Sequence, residues 1–364
     1  MIKKPFDKTF LKGLELKNRF IRSAIWEGLA HEEGYVTDEL IDFYRTLSEG
    51  GVGTIITGFS NVAKFDKPAS GMMGIYDDKF IPGLKKMVDE VHKNSCNIFL
   101  QIVIGGSQGR TGLSETVVGP SSHRNPVTRQ AAKELTIDEI INLEERFKEA
   151  AIRAKKAGFD GVQIHGAHGY LLSQFMNPIF NKREDIYGGN IEGRSRFLRE
   201  TYKKIREAVG EDFVVSVKIN SEDYVDGGAT QEEMLWVCEE LSKQGIDLIE
   251  VSGGSVVSRR NEGVIRTGIK TIEDEGYFEK FGKELSSRID TPVSLVGGFR
   301  TYSKVEEVLE NTDIQYISLA RPLLAEPELI NEWKNKNYIK AFCKSCNGCL
   351  KSDKSECILK NKLK

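Results

Sequence analysis

The sequence predicts a single α/β barrel of the (β/α)8 TIM type, and three observations carry that prediction. Short β-branched apolar runs alternate with amphipathic stretches along the chain, the pattern of repeated βα units around a parallel sheet. The strand-like runs number eight, the count that closes such a barrel. No Pro/Ser-rich linker divides the 364 residues, and one α/β barrel accommodates that length.

In chain order the expected strands are Phe20–Ala24, Thr54–Gly58, Ile98–Val103, Gly161–His165, Phe213–Ile219, Leu248–Ser252, Val293–Gly297 and Tyr316–Ala320. Helices are expected at Lys79–Lys93, Ile137–Ala157, Arg196–Val209, Glu232–Lys243, Tyr277–Arg288 and Lys304–Glu310. Three of their starts carry a capping-box spacing, Thr136 to Glu139, Thr230 to Glu233 and Ser303 to Glu306, in which hydroxyl and carboxylate satisfy orphan amides reciprocally. A doubly wound sheet is the rival fold. It needs a Gly-rich turn running straight into a helix, whereas a long polar loop follows Gly105-Gly-Ser-Gln-Gly109. The division expected is a barrel over residues 1–335 and a cysteine-containing tail over 336–364, packed on the barrel.

Composition narrows the function classes. Hydrophobic residues make up 39% and charged ones 29%, with a formal net charge of −2. Basic clusters are interleaved with acids, which excludes a nucleic-acid face or a membrane-surface patch. The N-terminus, Met1-Ile-Lys-Lys-Pro-Phe-Asp7, carries no apolar stretch of leader type. With four of six cysteines crowded into the tail, the expectation is a cytoplasmic protein and not a disulfide framework. Oligomeric state stays open, a homo-oligomer included.

Barrel chemistry sits where strands end and βα loops begin. Two such loops are long and aperiodic, Ile104–Leu135 and Ala167–Asn190, as active-site lids often are. At the fourth strand end, Gly161-Val-Gln-Ile-His-Gly-Ala-His-Gly-Tyr170 delivers His165, His168 and Tyr170 to the rim, using two of only five histidines. Imidazole N–H groups stabilise developing charge on a carbonyl oxygen, and a phenol supplies a proton. Structural histidines, or a two-His metal site, are the alternatives at this stage. Gln101 ends the third strand as a neutral donor and acceptor, and Lys218 lies near the end of the fifth; a lysine at a buried strand end is seldom packing alone.

The motif His165-Gly-Ala-His168-Gly-Tyr170 resembles that of the old yellow enzyme family. So do Leu172-Ser-Gln-Phe-Met-Asn-Pro178, Asn181-Lys-Arg183, Asp185-Ile-Tyr-Gly-Gly189 and Glu192-Gly-Arg-Ser-Arg-Phe197. Leu16-Lys-Asn-Arg-Phe20, Gly51–Gly58, Leu295-Val-Gly-Gly298 and Ser318-Leu-Ala-Arg321 through Pro327 extend the likeness from about residue 6 to about residue 335.

That resemblance implies FMN in the barrel, NAD(P)H as reductant, and an activated alkene such as an unsaturated carbonyl as the small-molecule substrate. It assigns the substrate oxygen to His165 and His168 and the proton to Tyr170. Gln101 and Lys218 would face the flavin's pyrimidine edge, where the family commonly has arginine in place of Lys218. The loops after strands seven and eight, Gly297-Gly298 and Ala320-Arg321, would hold the phosphate, with Gly253 of Gly253-Gly254 on the same rim. Ser23, Ala24, Ile25, Trp26, Gly58 and Phe59 would border the flavin.

Two departures stand out. Trp26 occupies a place where relatives have cysteine or threonine, and Phe59 one where they have a small residue. The tail residues Cys343, Cys346, Cys349 and Cys357 resemble the iron–sulfur motif of the 2,4-dienoyl-CoA reductase type and are candidates for [4Fe–4S] or zinc. Their second spacing is one residue shorter than in that motif, and the sequence shows no FAD and NAD(P)H domain for a cluster to serve. The competing functions are an NAD(P)H oxidase or flavin reductase on the same barrel, a non-catalytic flavin or electron carrier, and an aldolase using Lys218.

Overall fold

The computed structural model describes residues 2–110 and 112–360, and in it eight parallel strands close into a barrel. The strands are Phe20–Arg22, Thr54–Asn61, Asn97–Val103, Gly161–Gly166, Val214–Asn220, Leu248–Ser252, Val293–Leu295 and Tyr316–Leu319. Strand order follows the chain, and the last strand pairs with the first through Ile317↔Phe20 and Leu319↔Arg22. The fold and all eight strands are therefore as the sequence predicts.

A hairpin outside the eight strand-like runs, Thr9–Leu11 with Leu14–Leu16, plugs the bottom of the barrel. Its Leu11 and Leu16 join Ile21, Ile56, Phe99, Val214, Leu248 and Tyr316 in a separate buried cluster. Those residues lie near the starts of their strands, so apolar side chains fill that end. The strand C-termini are left for polar and catalytic groups.

The helices wrap the sheet with one apolar stripe each. A further helix, Asp38–Glu49, buries Leu40, Tyr44 and Leu47, and Thr37 caps it by accepting from the Leu40 amide. The capping boxes at Thr136/Glu139 and Thr230/Glu233 form as expected. The third does not: the helix starts at Tyr302, ahead of Ser303. Glu275, from the loop after strand six, takes over the duty by accepting from the Arg300 and Thr301 amides and the Thr301 hydroxyl. A long-range carboxylate thus replaces the local one.

The two long loops are built structures. The first carries a small three-stranded sheet, Val118–Gly119, His123–Arg124 and Ala131–Glu134. The second carries the helix Leu171–Met176, and Asn181 Nδ2 donates to the carbonyls of Phe175 and Tyr187 at 2.7 and 2.8 Å. Arg183 ties them together, donating to the carbonyls of Pro120 and Leu135 while pairing with Asp185. Among the described residues no helix is long and apolar enough to cross a membrane.

Candidate active site

A cavity of about 320 Å³ opens at the C-terminal ends of the strands. Its wall includes Ser23, Ala24, Ile25, Trp26, Phe59, Gln101, His165, His168, Tyr170, Lys218, Gly298, Ala320 and Arg321, so thirteen of the sixteen barrel residues singled out in the sequence meet there. Gly58, Gly253 and Gly297 do not line it. The Gly58 amide is spent on Glu27 Oε1 at 2.7 Å and on the Tyr44 hydroxyl at 2.9 Å. A Cβ on Gly253 would meet Phe278 at 2.6 Å and Ser221 at 2.8 Å. The Gly297 carbonyl accepts from Gly276 and Tyr277.

The first strand end is held from below by buried charge. Arg22 Nη1 donates to the Ile56 carbonyl at 2.8 Å, and its Nη2 reaches the Ile25 carbonyl at 3.3 Å and Glu27 at 3.7 Å. Glu27 also accepts from Tyr44. This cluster fixes the path of Ser23–Trp26 along the cavity. The Trp26 indole N–H is itself occupied, donating to the Ser70 carbonyl at 2.9 Å. Trp26 therefore offers the cavity an aromatic surface and no donor.

At the fourth strand end the backbone turns through an unusual conformation. His168 has φ +64° and Gly169 +75°; the first is left-handed backbone that a histidine adopts only when its surroundings hold it there. Asn220 Oδ1 supplies that hold by accepting from the His168 amide at 3.1 Å, and the His168 ring Nε2 lies 2.7 Å from Ser252 Oγ. The turn brings three rings together. His165 and Tyr170 are 4.7 Å apart by ring centroid, His165 and His168 5.1 Å, and Phe59 packs on Tyr170 at 5.5 Å.

His165 Nδ1 accepts weakly from the Ala167 amide at 3.4 Å, which leaves the ring proton on Nε2, the nitrogen free to donate. Burial and then the charge of Lys218 hold the His165 imidazole well below its ordinary range; burial, His165 and Lys218 do the same to His168. Burial, with the neighbouring Asp66 adding to it, pushes the Tyr170 phenol above its ordinary value. The trio is thus two neutral imidazoles and one protonated phenol.

Asp66 is fully buried, accepts from the Gly105 amide at 2.6 Å, and leaves Oδ1 without a partner among the described residues. Burial pushes its carboxyl from 3.8 up to about 7. Because the folded state then holds a proton that the unfolded chain releases, this group makes stability fall as pH rises from about 4 to about 7. Asp66→Asn is expected to remove that slope, worth up to about 1.4 kcal/mol per pH unit. Urea denaturation of both proteins at the two ends of the window checks this, and equal slopes would count against it.

The remaining polar wall falls into two ends. At one, Lys218 Nζ donates to Ser23 Oγ at 2.7 Å and to Glu250 Oε2 at 2.9 Å, with Gln101 bonded to Gln163 beside them. At the other, the amides of Gly298, Phe299, Ala320 and Arg321 donate to no protein acceptor among the described residues. Gly298 has φ +78°, and a Cβ there would sit 2.8 Å from the Tyr277 ring, so glycine is required. Glu250, Gln163, Ser252 and Asn220 escaped the sequence reading. Each points inward on a strand near a predicted site residue, and that alternation was the one signal that could have found them.

The tail closes over the Arg321 end. Arg300 Nη1 donates to the Cys343 carbonyl at 3.0 Å, the Ala341 amide donates to the Arg300 carbonyl, and the Ser355 amide donates to the Glu27 carbonyl. Cys343, Cys346, Cys349 and Cys357 line one small pocket together with Arg321, despite the shortened spacing. Among the described residues no group of three His, Cys, Asp or Glu side chains is arranged to hold a metal ion, so a zinc site gains no support. Burial raises the Cys343 and Cys349 thiols, and Arg321 opposes it.

Comparison with known proteins covers most of the chain. The family described as NADH:flavin oxidoreductase / NADH oxidase matches residues 4–339. The chain is 34% identical over 359 residues to an NADH oxidase of Thermoanaerobacter brockii, covering 95% of itself and 53% of that protein. It is 34% identical over 328 residues to an NADPH dehydrogenase of Clostridium acetobutylicum, covering 90% of itself and 93% of that protein. A solved structure of 2-naphthoyl-CoA reductase with 2-naphthoyl-CoA superposes with a TM-score of 0.87 at 25% identity, covering 94% of this chain and 54% of that one. The chain thus spans about half the length of that oxidase and of that reductase.

Proposed function

Since the chain belongs to the NADH:flavin oxidoreductase / NADH oxidase family, we propose that it is an FMN-dependent NAD(P)H oxidoreductase that reduces activated carbon–carbon double bonds. The observation that carries the reading is the convergence of His165, His168 and Tyr170 on one cavity with Lys218 and a row of free amides. An aldolase is disfavoured because Lys218 is salt-bridged to Glu250, and a charged amine is not a nucleophile.

The cavity suits FMN by its own chemistry. Ala24, Ile25, Trp26 and Phe59 give it apolar walls, Gln101 and Lys218 give donors for the pyrimidine edge, and Gly298, Ala320 and Arg321 give amides and a guanidinium for a phosphate. Bound FMN supplies the redox couple that takes hydride from NAD(P)H and passes it to the alkene. His165 Nε2 and the neighbouring His168 hold the substrate's carbonyl or equivalent oxygen and draw charge onto it. Tyr170 delivers a proton from its hydroxyl to the carbon that becomes electron-rich. Phe59 and Trp26 exclude water.

Protein loaded with FMN should be yellow, bleach with NAD(P)H, and regain colour with an enone. Colourless protein that takes up no added FMN defeats the proposal. Recovery of colour with oxygen but with no enone, enoate or nitroalkene favours the NAD(P)H oxidase reading instead.

We infer further that the tail thiolates hold a [4Fe–4S] cluster. Support comes from the shared pocket of Cys343, Cys346, Cys349 and Cys357, since each iron of a cluster takes one thiolate and the four need not meet at a single ion. Anaerobically purified protein should contain iron and acid-labile sulfide, both lost in Cys346→Ser. Their absence from the wild type removes the cluster.

A further inference from the structure

Lys218 and Glu250 face each other in register on the fifth and sixth barrel strands. Their side chains are 3% and 0% exposed. Stripping water from an unpaired ammonium is costly, so a buried lysine needs a counter-charge. Glu250 Oε2 stands 2.9 Å from Nζ, and Ser23 Oγ takes a second N–H at 2.7 Å. An ammonium has three donors. The third is left for the cavity whose wall Lys218 forms.

The carboxylate is held in its turn. Gln163 Nε2 donates to the same Oε2 at 2.9 Å, and Gln101 Nε2 donates to Gln163 Oε1 at 2.7 Å. The second carboxylate oxygen, Oε1, is buried without a partner among the described residues. A carboxylate kept for hydrogen bonding would not leave half its capacity unmet at the barrel centre. Burial pushes the Glu250 carboxyl up, but the charge of Lys218 and bonds from Lys218, Ser23 and Gln163 outweigh it and hold it below its ordinary value.

The other ionisable groups around the pair supply no second negative charge to Lys218. His165 and His168, from the neighbouring fourth strand and its loop, are held neutral. Arg22, from the first strand, is a cation whose near carboxylate is Glu27 at 3.7 Å.

We propose that Glu250 is a positioning residue for the flavin site: it keeps Lys218 an ammonium and aims the third N–H into the cavity, so that Lys218 takes up no further proton when the flavin gains negative charge on reduction. The inference rests on the flavin reading of the cavity given above. With Glu250 in place, two electrons from an electrode enter the flavin with one proton, because Lys218 already carries its charge. Without the carboxylate the buried amine is neutral beside oxidised flavin and takes up a second proton when negative charge arrives.

The slope of the flavin midpoint potential against pH, measured by spectroelectrochemistry between about pH 7 and 9, counts those protons per two electrons. Wild type should take up one, Glu250→Gln two, and Glu250→Gln combined with Lys218→Arg one again, because a guanidinium does not give up its proton. A Glu250→Gln slope equal to wild type overturns the proposal. Failure of the wild type to bind FMN would instead overturn the flavin reading. If Glu250→Gln does not fold or bind FMN, the infrared difference between Lys218→Met and wild type decides. A protonated-carboxyl band present in Lys218→Met and absent from the wild type supports the pair, and no such band refutes it.

Discussion

Tyr170→Phe should slow alkene reduction by about 10²–10⁴-fold, the usual contribution of a positioned general acid, while NAD(P)H continues to bleach the FMN-loaded protein at the wild-type rate. The change removes one oxygen atom and leaves the ring in its packing against Phe59 and His165. The hydroxyl stays protonated through the neutral range because burial and then Asp66 push it upward, so the proton to be given is always present. Stopped-flow traces of the two half-reactions separate the effects. Equal losses in both halves, or no loss with an enone, would remove Tyr170 from the role of proton donor.

The second large effect is expected for His165→Ala with His168→Ala. On the proposed reading each removes a group that holds the substrate oxygen, and removing one such donor typically costs about 10²–10³-fold in turnover. The flavin's own binding should change little, because Lys218, Gln101 and the amides at Gly298 and Arg321 remain. The wild type should also show a distinctive pH behaviour. Both imidazoles are held well below the ordinary 6.5, first by burial, so they enter the reaction neutral and lose no proton as pH rises past that value. The profile of kcat/KM for the alkene should therefore show no limb centred near 6.5. A limb there that disappears in the double variant would mean that the imidazolium form is the active one.

How far the make-up of the cavity wall was legible in the sequence differs by residue. His165, His168 and Tyr170 were readable because a strand end concentrates rare side chains in a short motif. Lys218 and Gln101 were readable as polar side chains within apolar strands, although each lies two residues inside its strand and not at the end. The reading went wrong where long-range contacts replaced local ones, as when Glu275 capped the helix expected to start at Ser303. It was also incomplete for Gly58, whose amide is taken by Glu27, thirty-one residues earlier in the chain.

The sequence by itself determined the barrel, because eight strand-like runs separated by helical ones admit few closed arrangements and one period of apolar residues sets each element. It also determined which side chains crowd the rim. Only the tertiary structure decided what those side chains are. Lys218 is ion-paired with Glu250, the two histidines are held neutral by burial, and the Trp26 N–H is already spent. Charge state and donor capacity depend on burial and on partners brought from distant segments, such as Glu250 at 2.9 Å from Lys218 and Ser252 at 2.7 Å from His168. Neither quantity exists until the chain has closed around them.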